Sequence, residues 1–316
     1  MRNDACYWWI ISLIVLAVVL ACGCGSGRDT RGDNVDHGGA LVSEEGQIAF
    51  MRAASFDGPD IESDIYTIRV DGSDERRLTD TPGLDGFPSW SPDGERIAFA
   101  SDRESGNWDL YTMSADGSQQ RRLTDTRYHD ESVPAWSPDG EKVAFATDID
   151  TAPTVWVVDA DGSDRKRLAD GLFPSWSPDG KRIVYTAYAG ERPYLAVMNS
   201  DGSESRSLGA SLLERLSGRV SDEEPAWSPD GEKIAFAHEA EGDLYVMNSN
   251  GSGRTRLTDL PSYDHWPPTW SPDSTRIAFT SEDAKSSAIY VMNSDGSGLT
   301  KLTDEPTYDA FPAWRP

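Results

Sequence analysis

Residues 88–125 read PSWSPDGERIAFASDRESGNWDLYTMSADGSQQRRLTD, and this string returns along the chain with its turns and tryptophans in the same places. Self-similarity at a fixed period marks a repeat architecture. The anchoring tryptophans are Trp90, Trp136, Trp176, Trp227, Trp270 and Trp314, separated by 46, 40, 51, 43 and 44 residues. A period of roughly 40 to 45 residues is that of a four-stranded propeller blade.

Each copy divides into four short strands: x-Pro-x-Trp, a run such as Ile97-Ala98-Phe99, a run such as Leu110-Tyr111-Thr112-Met113, and a strand ending Leu123-Thr124. Apolar and polar positions alternate with a period near two. Ser-Pro-Asp-Gly follows the tryptophan, and Asp-Gly or Asn-Gly precedes the fourth strand. Such dipeptides between alternating runs signal hairpins, because glycine accepts positive φ at low cost.

The first unit, Gln47 to Asp80, lacks a tryptophan strand, while the chain ends on Phe311-Pro312-Ala313-Trp314-Arg315-Pro316. The expectation is an all-β, six-bladed β-propeller over residues 47–316 whose first blade is closed by the C-terminal strand. Closure leaves only short, protected sheet edges, and the propeller is expected to be monomeric.

Tyr7 to Ala21 is a stretch of about 15 apolar residues, the length of a signal-peptide core rather than a membrane span. Residues 1–21 are therefore expected to be a signal peptide. Val19-Leu20-Ala21-Cys22 resembles a bacterial lipobox, which makes Cys22 the expected lipidation site, with Cys24 second and an uncleaved anchor helix as the alternative. Residues 22–46, rich in Gly, Asp, Ser and Arg, read as a lipidated N-terminus and flexible tether. All three cysteines lie at or before Cys24, so the propeller carries no disulfide. The expected location is extracytoplasmic, on a bacterial membrane.

A net charge of −25 and a pI near 4.4 oppose contact with phosphate backbones, which argues against nucleic acid as a partner.

The WSPDG, IAF, DLYVMN-DG and RLTD elements together resemble the TolB-type, WD40-like β-propeller repeat over essentially all of residues 47–316. That resemblance implies a non-enzymatic, protein- or peptide-binding scaffold of the cell envelope, since TolB is a periplasmic protein of the Tol-Pal system. TolB carries an α/β domain before its propeller, whereas only the tether precedes Gln47 here, so contacts made through that domain are not carried over.

Tracing a blade from its tryptophan strand puts the Ser-Pro-Asp-Gly and Asp-Gly turns on one face. The longer, variable loops fall on the other, where recognition usually resides. Five or six positions before each tryptophan stands an acid: Asp85, Asp130, Asp170, Asp222, Asp264 and Asp309. Around a channel mouth these would attract a basic partner segment or calcium. As turn caps they would only accept backbone hydrogen bonds. Trp108, Tyr128, His129, Tyr263, His265 and Tyr308 are the accompanying loop-face contacts.

The rival reading is a carbohydrate-active or sugar-binding propeller. Some pectate-fragment lyases resemble this repeat and hold a metal with several histidines, which here would be His129, His238 and His265. These three show no close ligand spacing, and no Gly-x-Ser-x-Gly elbow accompanies them. No catalytic residue and no cofactor is therefore assigned, calcium at the mouth excepted.

Overall fold

Phe50, Phe99, Phe145, Phe236 and Phe279 occupy one position of the repeat and are all fully buried. They show why the second strand of each unit forms as it does. Ile97 and Phe99 face one side of their strand and Ala98 and Ala100 the other, and all four are inaccessible. A strand covered on both faces reads as a continuous apolar run. Burying one such phenylalanine is worth roughly 2–3 kcal/mol.

The computed structural model describes residues 46–316 except 55–60, 105, 127–128, 149–151, 191, 210–220, 239–241, 261–265, 283–285 and 305–306. The expected signal peptide, Cys22 and the tether lie outside the described residues. Among the described residues no helix is long and apolar enough to cross a membrane.

Four separate antiparallel sheets of four strands follow one another along the chain. The first is β4 (Asp85–Trp90), β5 (Arg96–Ser101), β6 (Asp109–Ser114) and β7 (Arg121–Arg122). The second is β8 (Glu131–Trp136), β9 (Lys142–Thr147), β10 (Thr154–Asp159) and β11 (Lys166–Asp170). The third is β12 (Leu172–Trp176), β13 (Arg182–Ala189), β14 (Arg192–Asn199) and β15 (Arg206–Ser207). The fourth is β16 (Asp222–Trp227), β17 (Lys233–His238), β18 (Asp243–Asn248) and β19 (Thr255–Arg256).

The remaining strands form one eight-stranded sheet. It contains β20 (Thr269–Trp270), β21 (Arg276–Glu282), β22 (Ser287–Asn293), β23 (Thr300–Lys301), β24 (Tyr308–Trp314), β1 (Gln47–Ala53), β2 (Ser63–Arg69) and β3 (Arg76–Arg77). The expectation of six blades is thus corrected to four separate four-stranded blades plus this larger sheet. The reason is β24, which pairs antiparallel with β1 and also makes a single parallel bridge, Ser287 to Tyr308, to β22. Ser287 Oγ secures that bridge by donating to the Asp309 carbonyl at 3.0 Å. At the next junction Ser63 Oγ donates to the Asp85 carbonyl at 3.0 Å, but there only an isolated bridge forms, Ser63 to Leu84. Closure by the C-terminal strand is as expected.

Sheets stack small against large. Ala235 and Ala237 of β17 pack on Trp270, Ile277 and Phe279, and Ala49 of β1 packs on Trp90, Ile97 and Phe99. The Asp-Gly turns press on the preceding unit: a Cβ on Gly117 (φ 84°) would stand 2.6 Å from the Leu78 carbonyl oxygen. Only glycine satisfies both the conformation and the approach.

The first strand of each unit is the inner one, and these strands surround one central channel. Just before its proline each of five carries a non-glycine residue at positive φ: Phe87 (55°), Val133 (46°), Phe173 (51°), Glu224 (57°) and Phe311 (56°). Proline disfavours the right-handed helical region for its predecessor, and here the outcome is a left-handed residue at a register shift, as between Gly86 and Ser89. Phe87, Val133, Phe173 and Phe311 line the channel.

Candidate functional site

The position five before the tryptophan is Asp85 in β4, Glu131 in β8, Asp222 in β16 and Asp309 in β24. All four side chains are buried. Each is held by an arginine: Arg103 Nη2 to Asp85 at 2.7 Å, Arg165 Nη1 to Glu131 at 2.7 Å and Arg254 Nη1 to Asp222 at 2.6 Å. Arg52 grips both oxygens of Asp309, at 2.6 and 2.8 Å, and turns its remaining nitrogen to Glu75 at 2.6 Å. Burial works against the Arg52 charge, yet these bonds outweigh it and hold the guanidinium above its ordinary range.

Each arginine lies over two rings placed opposite one another in the second and third strands. Arg103 covers Phe99 and Tyr111, Arg165 covers Phe145 and Trp156, Arg254 covers Phe236 and Tyr245, and Arg52 covers Phe50 and Tyr66, all between 4.4 and 5.2 Å. A planar cation pairs with a carboxylate at its edge and stacks on aromatics with its faces. The unit ties the inner strand to the outer ones, and a carboxylate so engaged has little capacity left for calcium. Glu131 and the four arginines escaped the sequence reading; a spacing of five, rather than five or six, would have pointed to Glu131 but not to the arginines.

The remaining mouth acids divide. Asp130 accepts the N–H of Trp108, 22 residues away, at 2.7 Å, so it caps the loop before β6 rather than its own turn. Asp148 in turn accepts the Asp130 N–H at 2.8 Å, and Asp102 the Leu84 N–H at 2.6 Å. Burial, with Asp148, Asp109 and Asp102 nearby, pushes the Asp130 carboxyl up to about 6 despite the Trp108 hydrogen bond. Asp170 stands at the end of the outer strand β11, exposed and paired with Arg167, because Gly171 takes the position five before Trp176. Asp170 is therefore corrected from a channel-mouth acid to an outer-strand one. Asp264 lies outside the described residues, as do Tyr128, Tyr263 and His265.

Trp108 is a core residue, 4% exposed and edge-on to Phe87 at 5.7 Å. Tyr308 is half-buried at the start of β24. His129 is half-buried, its carbonyl accepting from Asn107 and Thr126. His238 is buried, its Nδ1 2.8 Å from Asp222 Oδ1. Among the described residues no group of three or more His, Cys, Asp or Glu could hold a metal ion.

The opposite face is uniform. Ser91 Oγ donates to Asp93 and accepts the Arg96 N–H, and the same triangle recurs at Ser137, Ser177, Ser228 and Ser271. The serine hydrogen bond holds the Asp93 carboxyl below its usual range. In the Asp-Gly turns Asp295 accepts the Ser297 N–H at 2.9 Å and its hydroxyl at 2.6 Å, a self-contained turn.

Comparison with known proteins bears on this architecture. The chain is 43% identical over 47 residues to the uncharacterized peptidase YuxL of Bacillus subtilis, 14% of this chain and 7% of that protein. It is 47% identical over 49 residues to a TolB homolog of Chlorobium luteolum, 16% of this chain and 11% of that protein. The matches thus span about a tenth or less of those relatives' length. TolB from Acinetobacter baumannii superposes with a TM-score of 0.75 at 21% identity, covering 86% of this chain and 67% of that one. The family model described as the TolB beta propeller domain matches residues 52–222 and 172–316. Sequence repeat, strand order and family model agree, and the chain belongs to the TolB β-propeller family.

Proposed function

We propose that this TolB-like propeller is a non-enzymatic scaffold of the cell envelope, anchored by lipid at Cys22, that binds a protein or peptide through its loop face and channel mouth. The observation carrying the reading is the contrast between the two ends of the sheets. At the tryptophan end every Ser-Pro-Asp-Gly turn satisfies its own polar groups in the same way. At the acid end the connections differ in length and leave carboxylates in solvent, Asp125 at 73%, Asp259 at 87% and Asp304 at 88% exposure. Such a rim favours a basic surface by field rather than by any one contact.

The experiment is in-cell crosslinking with mass spectrometry on a membrane fraction, comparing wild type with the Asp125→Lys, Asp259→Lys, Asp304→Lys triple variant. These exposed positions spare the buried arginine ties, so the variant is expected to fold. Repeated capture of one envelope protein, lost in the triple variant, supports the reading. Release of the protein without detergent, or turnover of an acidic oligosaccharide, defeats it.

A further inference from the structure

Two hairpins of the molecule share a nine-residue sequence with a single difference. Residues 245–253 read YVMNSNGSG and residues 290–298 read YVMNSDGSG, so Asn250 stands where the next unit has Asp295. The sister turns carry Asp71, Asp116, Asp161 and Asp201 at the same place, and Asn250-Gly251 is the one Asn-Gly pair in the sequence.

The two turns are held by the same hydrogen bonds. Asn250 Oδ1 accepts the Ser252 N–H at 3.0 Å and its hydroxyl at 2.7 Å. Asp295 Oδ1 accepts the Ser297 N–H at 2.9 Å and its hydroxyl at 2.6 Å. The Gly251 N–H reaches the Asn248 carbonyl at 2.8 Å, and the Gly296 N–H the Asn293 carbonyl at 2.9 Å. The side-chain bonds at position 250 thus fall on the oxygen that an acid also presents, and none requires the amide nitrogen. The Ser297 hydroxyl and N–H hold the Asp295 carboxyl below its usual range, so the acid sits in this turn ionised. Hydrogen bonds to an ionised acceptor are the stronger ones, and the turn suits the acid better than the amide it carries.

We propose that Asn250 is a modification site, at which spontaneous deamidation yields aspartate while the fold excludes the isoaspartate that the same chemistry produces in a free peptide. The Gly251 backbone nitrogen attacks Asn250 Cγ; the N–Cγ bond forms, the Gly251 N–H proton passes to the side-chain amide, and ammonia departs. Water then opens the cyclic imide, with no change of oxidation state. Breaking the new N–Cγ bond gives aspartate, and breaking the original peptide bond gives isoaspartate.

Glycine leaves the attacking nitrogen uncrowded, and the turn keeps a glycine there: Gly251 has φ 89°, and a Cβ on it would stand 2.6 Å from the Gly209 backbone nitrogen. Attack requires Gly251 to release the Asn248 carbonyl and Asn250 to release Ser252. Asn248, Asn250 and Ser252 are all exposed, and such a turn opens locally at far less than the cost of global unfolding. Selection comes on reclosing. Isoaspartate inserts a methylene into a main chain already fixed by the Gly251 bond and by the Asn248 N–H on the Ser252 carbonyl at 2.8 Å, with Gly251 pressed on Gly209. Aspartate alters only the charge, as Asp295 shows. The site lies on the face opposite the loop rim and is independent of the partner proposed there.

The test is incubation of the full chain at mildly alkaline pH, followed by peptide mapping with mass spectrometry and an isoaspartate assay, beside the synthetic peptide YVMNSNGSG. Asn250 is expected to convert roughly tenfold or more faster than Asn248 and Asn293, whose following serines crowd the attacking nitrogen. Aspartate should dominate in the chain and isoaspartate in the peptide. Asn250→Asp should melt level with or above wild type, and Asn250→Gln, whose longer side chain disfavours the ring, should stay unmodified. An Asn250 that remains an amide while the peptide converts, an equal isoaspartate share in chain and peptide, or a lower melting temperature for Asn250→Asp overturns the proposal.

Discussion

The sheets β4–β7 and β12–β15 have the same strand order yet hold their inner strands differently. In the first, Asp85 is buried against Arg103, which lies over Phe99 and Tyr111 and passes a further hydrogen bond to Gln120 Oε1 at 2.5 Å. In the second, Gly171 replaces the acid, and among the described residues no arginine stands over the Tyr185 ring. Tyr185 fills that space and bonds through its hydroxyl to Ser205 Oγ at 2.6 Å. The scaffold thus tolerates two solutions to one problem, a charged tie and an aromatic plug. What it does not tolerate is half of either.

That statement breaks most visibly at Asp309. Asp309→Ala would leave Arg52 buried with Glu75 as its remaining carboxylate, and removal of one partner of a buried pair costs about 3–5 kcal/mol. Denaturant unfolding should show a loss of that order. Replacing both partners together, Asp309→Ala with Arg52→Met, should cost clearly less than Asp309→Ala alone, because no charge is then stranded. Equal losses would mean that the tie works through shape rather than charge.

Gly171 tests the other solution. Its φ is 150°, and a Cβ there would stand 2.3 Å from the Thr186 carbonyl oxygen and 2.7 Å from the Tyr185 ring. Backbone cannot yield as a side chain does, so Gly171→Ala should lose about 2–3 kcal/mol in the same assay. Gly171→Asp with Ser205→Arg, which imports the charged tie, should not recover it while Tyr185 stays. Recovery would show that the two solutions interchange without rebuilding the ring.

These contrasts mark what the sequence conveyed. The strands, both families of turns and the C-terminal closure were legible because each rests on local chemistry: glycine at positive φ, an aspartate two residues before its serine, apolar runs of fixed length. The sheet count was not, since joining β24 to β22 depends on one backbone bridge, Ser287 to Tyr308, which no residue pattern announces. The acids were found but their partners were not. Arg52 comes from the end of the second strand and Arg103 from two residues beyond it, whereas Arg165 and Arg254 come from four residues after the turn Asp161 or Asn250. Two origins for one guanidinium position hide the rule until the fold superimposes them. Where arginine comes from the second strand or just past it, the turn position holds Glu75 or Gln120, which accepts a hydrogen bond from its spare nitrogen.

Asp130 separates a capping acid from a tying one by pH. Its folded pKa of about 6 lies above the ordinary carboxylate value, so the fold favours the neutral form. Its contribution therefore falls as pH rises from about 4 through 6 and stays unfavourable above. Asp130→Asn keeps an acceptor for the Trp108 N–H while removing the charge, and should gain about 1–2 kcal/mol at pH 7.5. The gain should shrink towards zero at pH 4. A gain unchanged across that window would place its cause outside titration.

The smallest expected effect concerns the chain end. Arg96 lies over Trp136 at 4.6 Å, Arg182 over Trp227 at 4.9 Å and Arg276 over Trp314 at 4.9 Å, each from the first residue of a second strand to the next tryptophan. Strand β1 begins instead with Gln47, which leaves Trp90 without an arginine from that position. Arg315, beyond the last strand, supplies it: its guanidinium lies over Trp90 at 4.9 Å and donates to Gln47 Oε1 at 3.0 Å. Arg315→Ala should cost about 1 kcal/mol. Because the missing group belongs to the repeat rather than to the terminus, adding Gln47→Arg should restore most of it. Failure of that rescue would mean that Arg315 acts by pinning the terminal backbone, whose N–H already reaches the Gln47 carbonyl at 2.8 Å, and closure would then rest on main-chain pairing alone.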